Sequence, residues 1–442
     1  MKHNRNLIFI GLFFLYYQAG FGQEPELATA TFDLNKVWQY TEKNHKKVEI
    51  LRLQTLEKQE DIKNTQNSKL PYVQVEGSYG KRSDLSLYEA GILHQPTEVP
   101  IQSTQYSTAL SADLLLYKGY QTKRAIQIQK VELTSLNTLV QQSIAEAKME
   151  STQLFYGLIL NIQYRELVEK EITQDEKQLK DIMSLYQNGT ILKSDVLRSE
   201  VTRSNHQMLL KEIENRLTLI TQQLNIIMGR KDTDSLIPLY SDLDLIPGVA
   251  NYEENLNQAL EDAYGLQLAD QKILREELAL KQITSALLPK VSLFADYGFN
   301  FPQNKSYPYA STLYSVGQIG LKVNLSLSSF YHTHHQKKSQ QIHIIQQQVE
   351  KEHKKDQIKQ ELQAYYVQYQ ESLDRIALAE KNILQTTETL RIIRHSYFNQ
   401  QALLLDLLDA ETQVLQAQFD LTSAQINAKI EYYQIQKVIG NL

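Results

Sequence analysis

Two stretches of this chain say the same thing 211 positions apart, and that repetition limits the possible folds more than any other feature. Residues 186–200 (YQNGTILKSDVLRSE) and 397–411 (YFNQQALLLDLLDAE) share Tyr186/Tyr397, Asn188/Asn399, Leu192/Leu403, Asp195/Asp406, Leu197/Leu408 and Glu200/Glu411. The same offset holds without a gap from Tyr120/Tyr331 to Gly229/Gly440. Further upstream, LPYVQVEGSYG from Leu70 is echoed by LPKVSLFADYG from Leu288. An internal duplication of this length outranks domain counts inferred from chain length.

Between Tyr120 and Tyr186 there is no proline, and the only glycine is Gly157. Leu136, Val140, Ile144, Ala147, Leu154, Leu158 and Ile162 recur at steps of three, four or seven, which is one stripe of an α-helix. At 1.5 Å per residue such a helix is about 100 Å long, a length that points to a coiled coil or a tube. Gly189 marks a turn, and a second helix returns to Gly229. The second copy repeats this pattern from Tyr331 to Tyr397 and on to Gly440, with a more charged middle from Lys351 to Lys359.

A period of two precedes each long helix. Val73, Val75, Gly77 and Tyr79 alternate with Gln74, Glu76 and Ser78, and Thr108, Leu110, Ala112, Leu114 and Leu116 alternate with polar residues that Ala109 and Leu115 blur. In copy two, Val291 to Phe299 and Ile319 to Leu327 alternate in the same way. The strands expected are therefore about 72–80, 106–117, 290–300 and 315–328. An apolar face opposite a face carrying Glu76, Asp113, Asp296 and Lys322 suits a barrel with lipid outside and water inside. One helix from Leu34 to Asn67 leads into the first strand and one from Glu254 to Thr284 into the third, each stopped by a proline, Pro71 or Pro289.

Residues 1–22 read as a secretory signal: Lys2 and Arg5, an apolar run from Leu7 to Tyr17, then the small residues Gly20 and Gly22. That run is too short to cross a bilayer as a helix, and no other stretch approaches 18 apolar residues, so any membrane span is built from strands. Cysteine is absent, which fits an oxidising compartment and leaves no thiol for a lipid anchor. A net charge of −5 gives no nucleic-acid footprint, and 26 tyrosines suit the aromatic girdles of a membrane barrel. The organisation expected is a first repeat over 23–229, a linker over 230–251 and a second repeat over 252–442. Four strands cannot close, and open edges are not tolerated in lipid, so sister chains must supply the rest; three chains give twelve strands.

The paired LPxV strands, the long helices behind them, and the DVL and LLDLLDAE segments resemble the TolC-like outer membrane efflux proteins from about residue 34 to the end. The resemblance implies a homotrimer: a twelve-stranded outer-membrane barrel in lipid that continues into an α-helical periplasmic tunnel, with the linker in a belt around it. It also implies docking to a periplasmic adaptor (membrane fusion) protein and an inner-membrane RND or ABC transporter. No cofactor and no enzymatic activity are implied, and the sequence has no phosphate loop or nucleophile–base constellation. The rival class is a secreted or surface structural, adhesive coiled-coil protein, which accounts for the helices but not for the duplicated strand pairs.

Asp406 and Asp409 are three apart on one helix face just after the second turn. Around a threefold axis they become six carboxylates, which repel one another and attract cations. Family members close their periplasmic aperture with acidic residues matching these two, and the gating set expected here is Asp406, Asp409, Asp195, Arg198, Tyr186 and Tyr397. Copy one has Arg198 where copy two has its second acid, so its ring is partly self-neutralised. A basic tether found in some relatives has Ala402 in its place here, and Gln400 stands where a glycine is usual. The docking tips expected are Gly189 and Thr190 in copy one and Gln400 and Gln401 in copy two. His332, His334, His335 and His343 invite a metal reading, but copy one carries Gln121, Lys123 and Arg124 opposite the first three, so no metal site is assigned. Trp38, the only tryptophan, is expected to pack.

Overall fold

The computed structural model describes residues 31–240, 243–303 and 310–442. The signal segment expected over residues 1–22 lies outside them. The first repeat contains β1 (Thr31–Phe32), α1 (Leu34–Asn44), α2 (Lys46–Asn67), β2 (Tyr72–Lys81), a small hairpin of β3 (Leu85–Leu87) and β4 (Thr97–Val99), β5 (Thr104–Lys118), α3 (Gln121–Gln187) and α4 (Lys193–Ile227). After β6 (Ile237–Pro238) the second repeat follows: α5 (Tyr252–Asp262), α6 (Tyr264–Thr284), β7 (Lys290–Phe301), β8 (Tyr314–Asn324), α7 (Ser329–Phe398) and α8 (Leu404–Val438). The 67 residues of α3 and 70 of α7 make rods of roughly 100 Å.

The helices expected from Leu34 to Asn67 and from Glu254 to Thr284 are each broken in two. His45 (ψ 121°) separates α1 from α2, and Ala263 (ψ 123°) separates α5 from α6. Neither break has a proline or glycine at it, so its cause is tertiary. Each lies where a returning helix ends against the short ones. Asn44 donates to the Met228 carbonyl at 2.9 Å beside the end of α4, and Gly440 after α8 comes close to Asp262. A Cβ on Gly229 would stand 2.5 Å from Cβ of Asn44, so this joint admits no side chain. Two short helices and one returning helix thus line each rod end to end.

The core follows the same plan. Phe155, Leu158 and Ile159 of α3 pack with Leu224, Met228, Phe32 and Val37 around the middle of the first rod. Ile358, Leu362 and Tyr369 of α7 pack with Ala259, Leu266 and Ile435 around the second. Burying one such Leu or Ile side chain contributes about 1.5–3 kcal/mol. The linker crosses between these cores: β6 pairs in parallel with β1, Phe32 lies between the Lys36 and Arg230 cations at 4.6 Å each, and Tyr369 donates to the Pro247 carbonyl at 2.6 Å.

The four long strands form one antiparallel sheet in the order β2-β5-β7-β8, so the two repeats are stitched together by the β5–β7 pair. The bulge between Leu115 and Tyr117 explains why the alternation of β5 blurs there. The strand expected to run to Ser328 ends at Asn324, because the amides of Ser329 and Phe330 bond back to Ser326 and Leu327 and start the helix early. At the other strand-to-helix corner Gly119 (φ 58°) and Tyr120 (φ 64°) are both left-handed. A Cβ on Gly119 would stand 2.5 Å from the Ser285 carbonyl oxygen.

Gly119→Ala is therefore expected to lower stability by at least about 2 kcal/mol. Gly157→Ala, inside α3 with only an ordinary contact to Ile220 at 3.9 Å, is expected to raise it by about 0.5–1 kcal/mol. Thermal melts of the two detergent-solubilised variants against the parent separate these outcomes.

Candidate functional site

The register of the sheet fixes which side chains share a face. Tyr72 opposes Asp113, Glu76 opposes Ala109, Ser111 opposes Asp296 and Ser292 opposes Lys322. Directly opposed residues point the same way, so Glu76, Asp113, Asp296 and Lys322 lie on a single face. Gln318 donates to Asp296 at 2.8 Å on that face, and the Ser78 and Ser107 hydroxyls are 2.8 Å apart. The opposite face carries Val73, Val75, Leu110, Leu293, Ile319, Leu321 and Val323, with Tyr79, Tyr106, Tyr297, Phe299 and Phe301 gathered toward the loop end. Val75 is 71% exposed and Ile319 75%, so this apolar face has no cover in the protomer.

At the far end of the rods, both hairpin turns close in the same way. Gly189 (φ 72°) donates to the Tyr186 carbonyl and Thr190 to Leu185, both at 2.9 Å; Gln400 (φ 62°) donates to Tyr397 and Gln401 to Ser396, both at 2.8 Å. These bonds satisfy the last carbonyls of α3 and α7. Gly189, Thr190, Gln400 and Gln401 are all exposed. Behind them Leu179, Ile182, Val196, Tyr397, Leu404 and Leu407 form one cluster that joins the two hairpins.

Asp406 and Asp409 are exposed on the first turns of α8. The Asp406 carboxylate accepts from the Leu403 amide at 3.1 Å, so it caps the helix where the macrodipole favours negative charge. Asp195 holds the equivalent place in α4, and Arg198 one turn later is exposed. The two tyrosines differ: Tyr186 is 41% exposed and Tyr397 only 6%. The Tyr397 hydroxyl is buried without a hydrogen-bond partner, and burial, then the charge of Asp195, raise its pKa.

Two features here have no signature in the sequence. One is an open groove of about 420 Å³ between α4 and α8, floored by Leu197, Val201, Leu405 and Leu408 and flanked by Arg198 and Asp409. The other is a polar cluster buried among all four tip helices. Glu411 of α8, 4% exposed, accepts from Arg394 of α7 at 2.9 Å and from Gln178 of α3 at 3.1 Å. Asp175 of α3 is bonded to the His206 ring of α4 at 2.7 Å. Glu171, one turn before Asp175, is pushed up to about 7 by burial and then by the charges of Glu411 and Asp175. The only hint of it was Glu411 matching Glu200 in the repeat; nothing in one dimension tells that Glu411 is buried.

His332, His334, His335 and His343 are exposed near the start of α7, and among the described residues no three His, Asp or Glu side chains converge as a metal would need. Trp38 packs edge-on to Tyr433 at 5.5 Å and donates to Thr152 at 2.9 Å.

The tip geometry has direct consequences. Gln400→Gly relieves a left-handed side chain at the cost of unfolded-state entropy, so it is expected to stabilise by up to about 1 kcal/mol. Asp406→Ala removes a cap and is expected to cost about 1 kcal/mol, whereas Asp409→Ala stays within about 0.5 kcal/mol of the parent. Chemical denaturation of the three variants reads all three changes.

No protein-family model matches the sequence, and no curated protein matches it. Solved structures do. CusC, described in terms of folding and transmembrane channel formation, superposes with a TM-score of 0.77 at 14% identity over 96% of each chain. The outer membrane protein VceC of Vibrio cholerae gives 0.72 at 15% identity, over 92% of this chain and 96% of its own. The open MtrE outer membrane channel of Neisseria gonorrhoeae gives 0.71 at 13% identity, over 92% and 88%. With its duplicated unit, its two-faced sheet and its paired helical hairpins, the chain has the TolC-like fold of these outer-membrane channels.

Proposed function

We propose that three copies of this chain close their sheets into a twelve-stranded barrel in the outer membrane and continue it as a helical tunnel through the periplasm. The assembly is the passive, gated exit duct of a tripartite efflux or type I secretion system. The single observation that carries this reading is the four-stranded sheet: one face uncovered and apolar, the other polar and charged, and both outer edges, on β2 and β8, without a strand partner among the described residues. In lipid those edges require partners, and copies of the same sheet supply them. A secreted coiled-coil protein gives such a sheet no role. No helix among the described residues is long and apolar enough to cross a membrane.

The tips carry the gate in this reading. Asp406 and Asp409, repeated around the threefold axis, form a ring of carboxylates, with Asp195 and Arg198 as the weaker copy-one counterpart. Opening pulls Tyr397 out of the apolar cluster behind the turns, and Tyr186, already exposed, follows freely. The exposed turns at Gly189, Thr190, Gln400 and Gln401, together with the apolar groove between α4 and α8, are the surface offered to a periplasmic adaptor and, through it, to an RND or ABC transporter. That transporter supplies the energy, since a passive duct needs no catalytic residue. On the polar face of the sheet, Glu76, Asp113, Asp296 and Lys322 line the aqueous exit.

Reconstituted into planar bilayers, the purified protein is expected to run as a trimer and to show discrete conductance steps; a monomer that carries no current rules the reading out. Asp406→Asn combined with Asp409→Asn is expected to raise conductance several-fold and to weaken block by polyvalent cations. Unchanged currents remove the carboxylate ring from the account.

A further inference from the structure

The cluster behind the tips holds three carboxyl groups, Glu171, Asp175 and Glu411, against one guanidinium, Arg394, and one imidazole, His206. They come from every helix that packs there: α3, α4, α7 and α8. Gln178 donates to Glu411 at 3.1 Å, and Gln174 lies beside Arg394, where turning its amide over would bring the oxygen to accept from the guanidinium. Arg203, one turn from His206 on the same face of α4, has a buried Nε without a partner. Arg394 is four residues from the end of α7 and Glu411 seven into α8, so the cluster sits within a few turns of the proposed aperture. It also joins the two repeats, since Gln178 and Glu411 lie 233 residues apart.

We propose that this cluster is a proton-operated latch, which holds the two helical hairpins together when Glu171 and His206 are both protonated and releases them when both protons leave. Counted over those five groups, the protonated cluster is neutral. Loss of both protons takes the same five groups from neutral to a net charge of −2 between α3 and α8, with Arg203 as the one further cation named beside them. In a buried site with little water to screen it, that imbalance is far more costly than at the surface. The aperture carboxylates at Asp406 and Asp409 are exposed and act separately.

Both protons are held more tightly in the fold than in open chain. Burial, followed by Glu411 and Asp175, takes Glu171 from an ordinary 4.5 to about 7, and the hydrogen bond that the His206 ring donates to Asp175 raises His206 above 6.5 against the opposing effect of burial. A raised pKa stabilises most below the ordinary value, and the contribution is lost as pH climbs through the raised one. For Glu171 the window runs from 4.5 to about 7, and for His206 from 6.5 upward. Within the Glu171 window the latched state loses about tenfold against the released state per pH unit. Acid tightens the tips and alkali loosens them.

The latch itself is independent of the channel reading, but its effect on current rests on it, so the test has two arms. In detergent, the melting temperature of the full-length protein is expected to fall from about pH 5.5 to about pH 8.5. Glu171→Gln, which fixes the neutral form, is expected to flatten the lower part of that fall, while Asp406→Asn with Asp409→Asn keeps the parent profile. If Glu171→Gln fails to assemble, His206→Gln carries the test and is expected to lose the upper part. Melting profiles that stay parallel to the parent overturn the latch. In bilayers the open probability of the parent is expected to rise several-fold over the same range, and Glu171→Gln to cut that rise; an equal rise in both overturns the gating role. Absence of any current at every pH, with melting that behaves as expected, sinks the channel reading and leaves the latch standing.

Discussion

Backbone groups at the two edges of the sheet set the terms for everything else. A strand edge presents a row of N–H and C=O groups that must find partners, and in water the surrounding solvent provides them. Here the sheet also exposes an apolar face wide enough to be driven out of water, with Val75, Ile319 and Leu321 uncovered. The environment that accepts that face is the one that cannot satisfy those edges. In the proposed assembly, closure by further copies resolves the conflict. It also explains why β5 and β7, the strands that join the two repeats, are central, while β2 and β8 are left at the outside.

The helical part answers a different problem, that of keeping a rod of about 100 Å covered along its length. A single partner helix of that length would need its own uninterrupted stripe. Instead the chain uses two short helices and a returning one, laid end to end on each long helix. The joints are narrow, as the approach of Gly229 to Asn44 shows, and they coincide with the breaks at His45 and Ala263. The paired β1 and β6 and the linker are anchored in the same cores. At the tips the duplication stays visible in the turns but not in the chemistry. Gly189 faces its counterpart Gln400, exposed Tyr186 its counterpart Tyr397 in the core, and half-buried Glu200 the fully buried Glu411.

Much of this was legible in one dimension because it rests on periodicity. The strands emerged from alternation, since a pleated strand sends successive side chains to opposite faces, and the four charged residues expected on one face do share it. The long helices emerged from their stripes. What escaped had no local signal. Nothing at His45 or Ala263 breaks a helix by itself, and Leu325 and Leu327 continue the alternation of β8 although their backbone has already left the strand for the turn that leads into α7. The groove between α4 and α8 is made by two segments more than 200 residues apart, and neither segment is unusual alone.

The sequence by itself determined the duplicated order of helices and strands, the two-sidedness of the sheet, and the acidic first turn of α8. Each of these follows from which residues recur at which spacing. Only the tertiary structure decided which polar residues are taken out of water. Glu171, Asp175, His206, Arg394 and Glu411 read as ordinary charges on helix faces, and they become a coupled set because four helices from two repeats converge on them. Both effects are properties of that convergence: burial raises the proton affinity of Glu171, and the hydrogen bond with Asp175 raises that of His206 against burial.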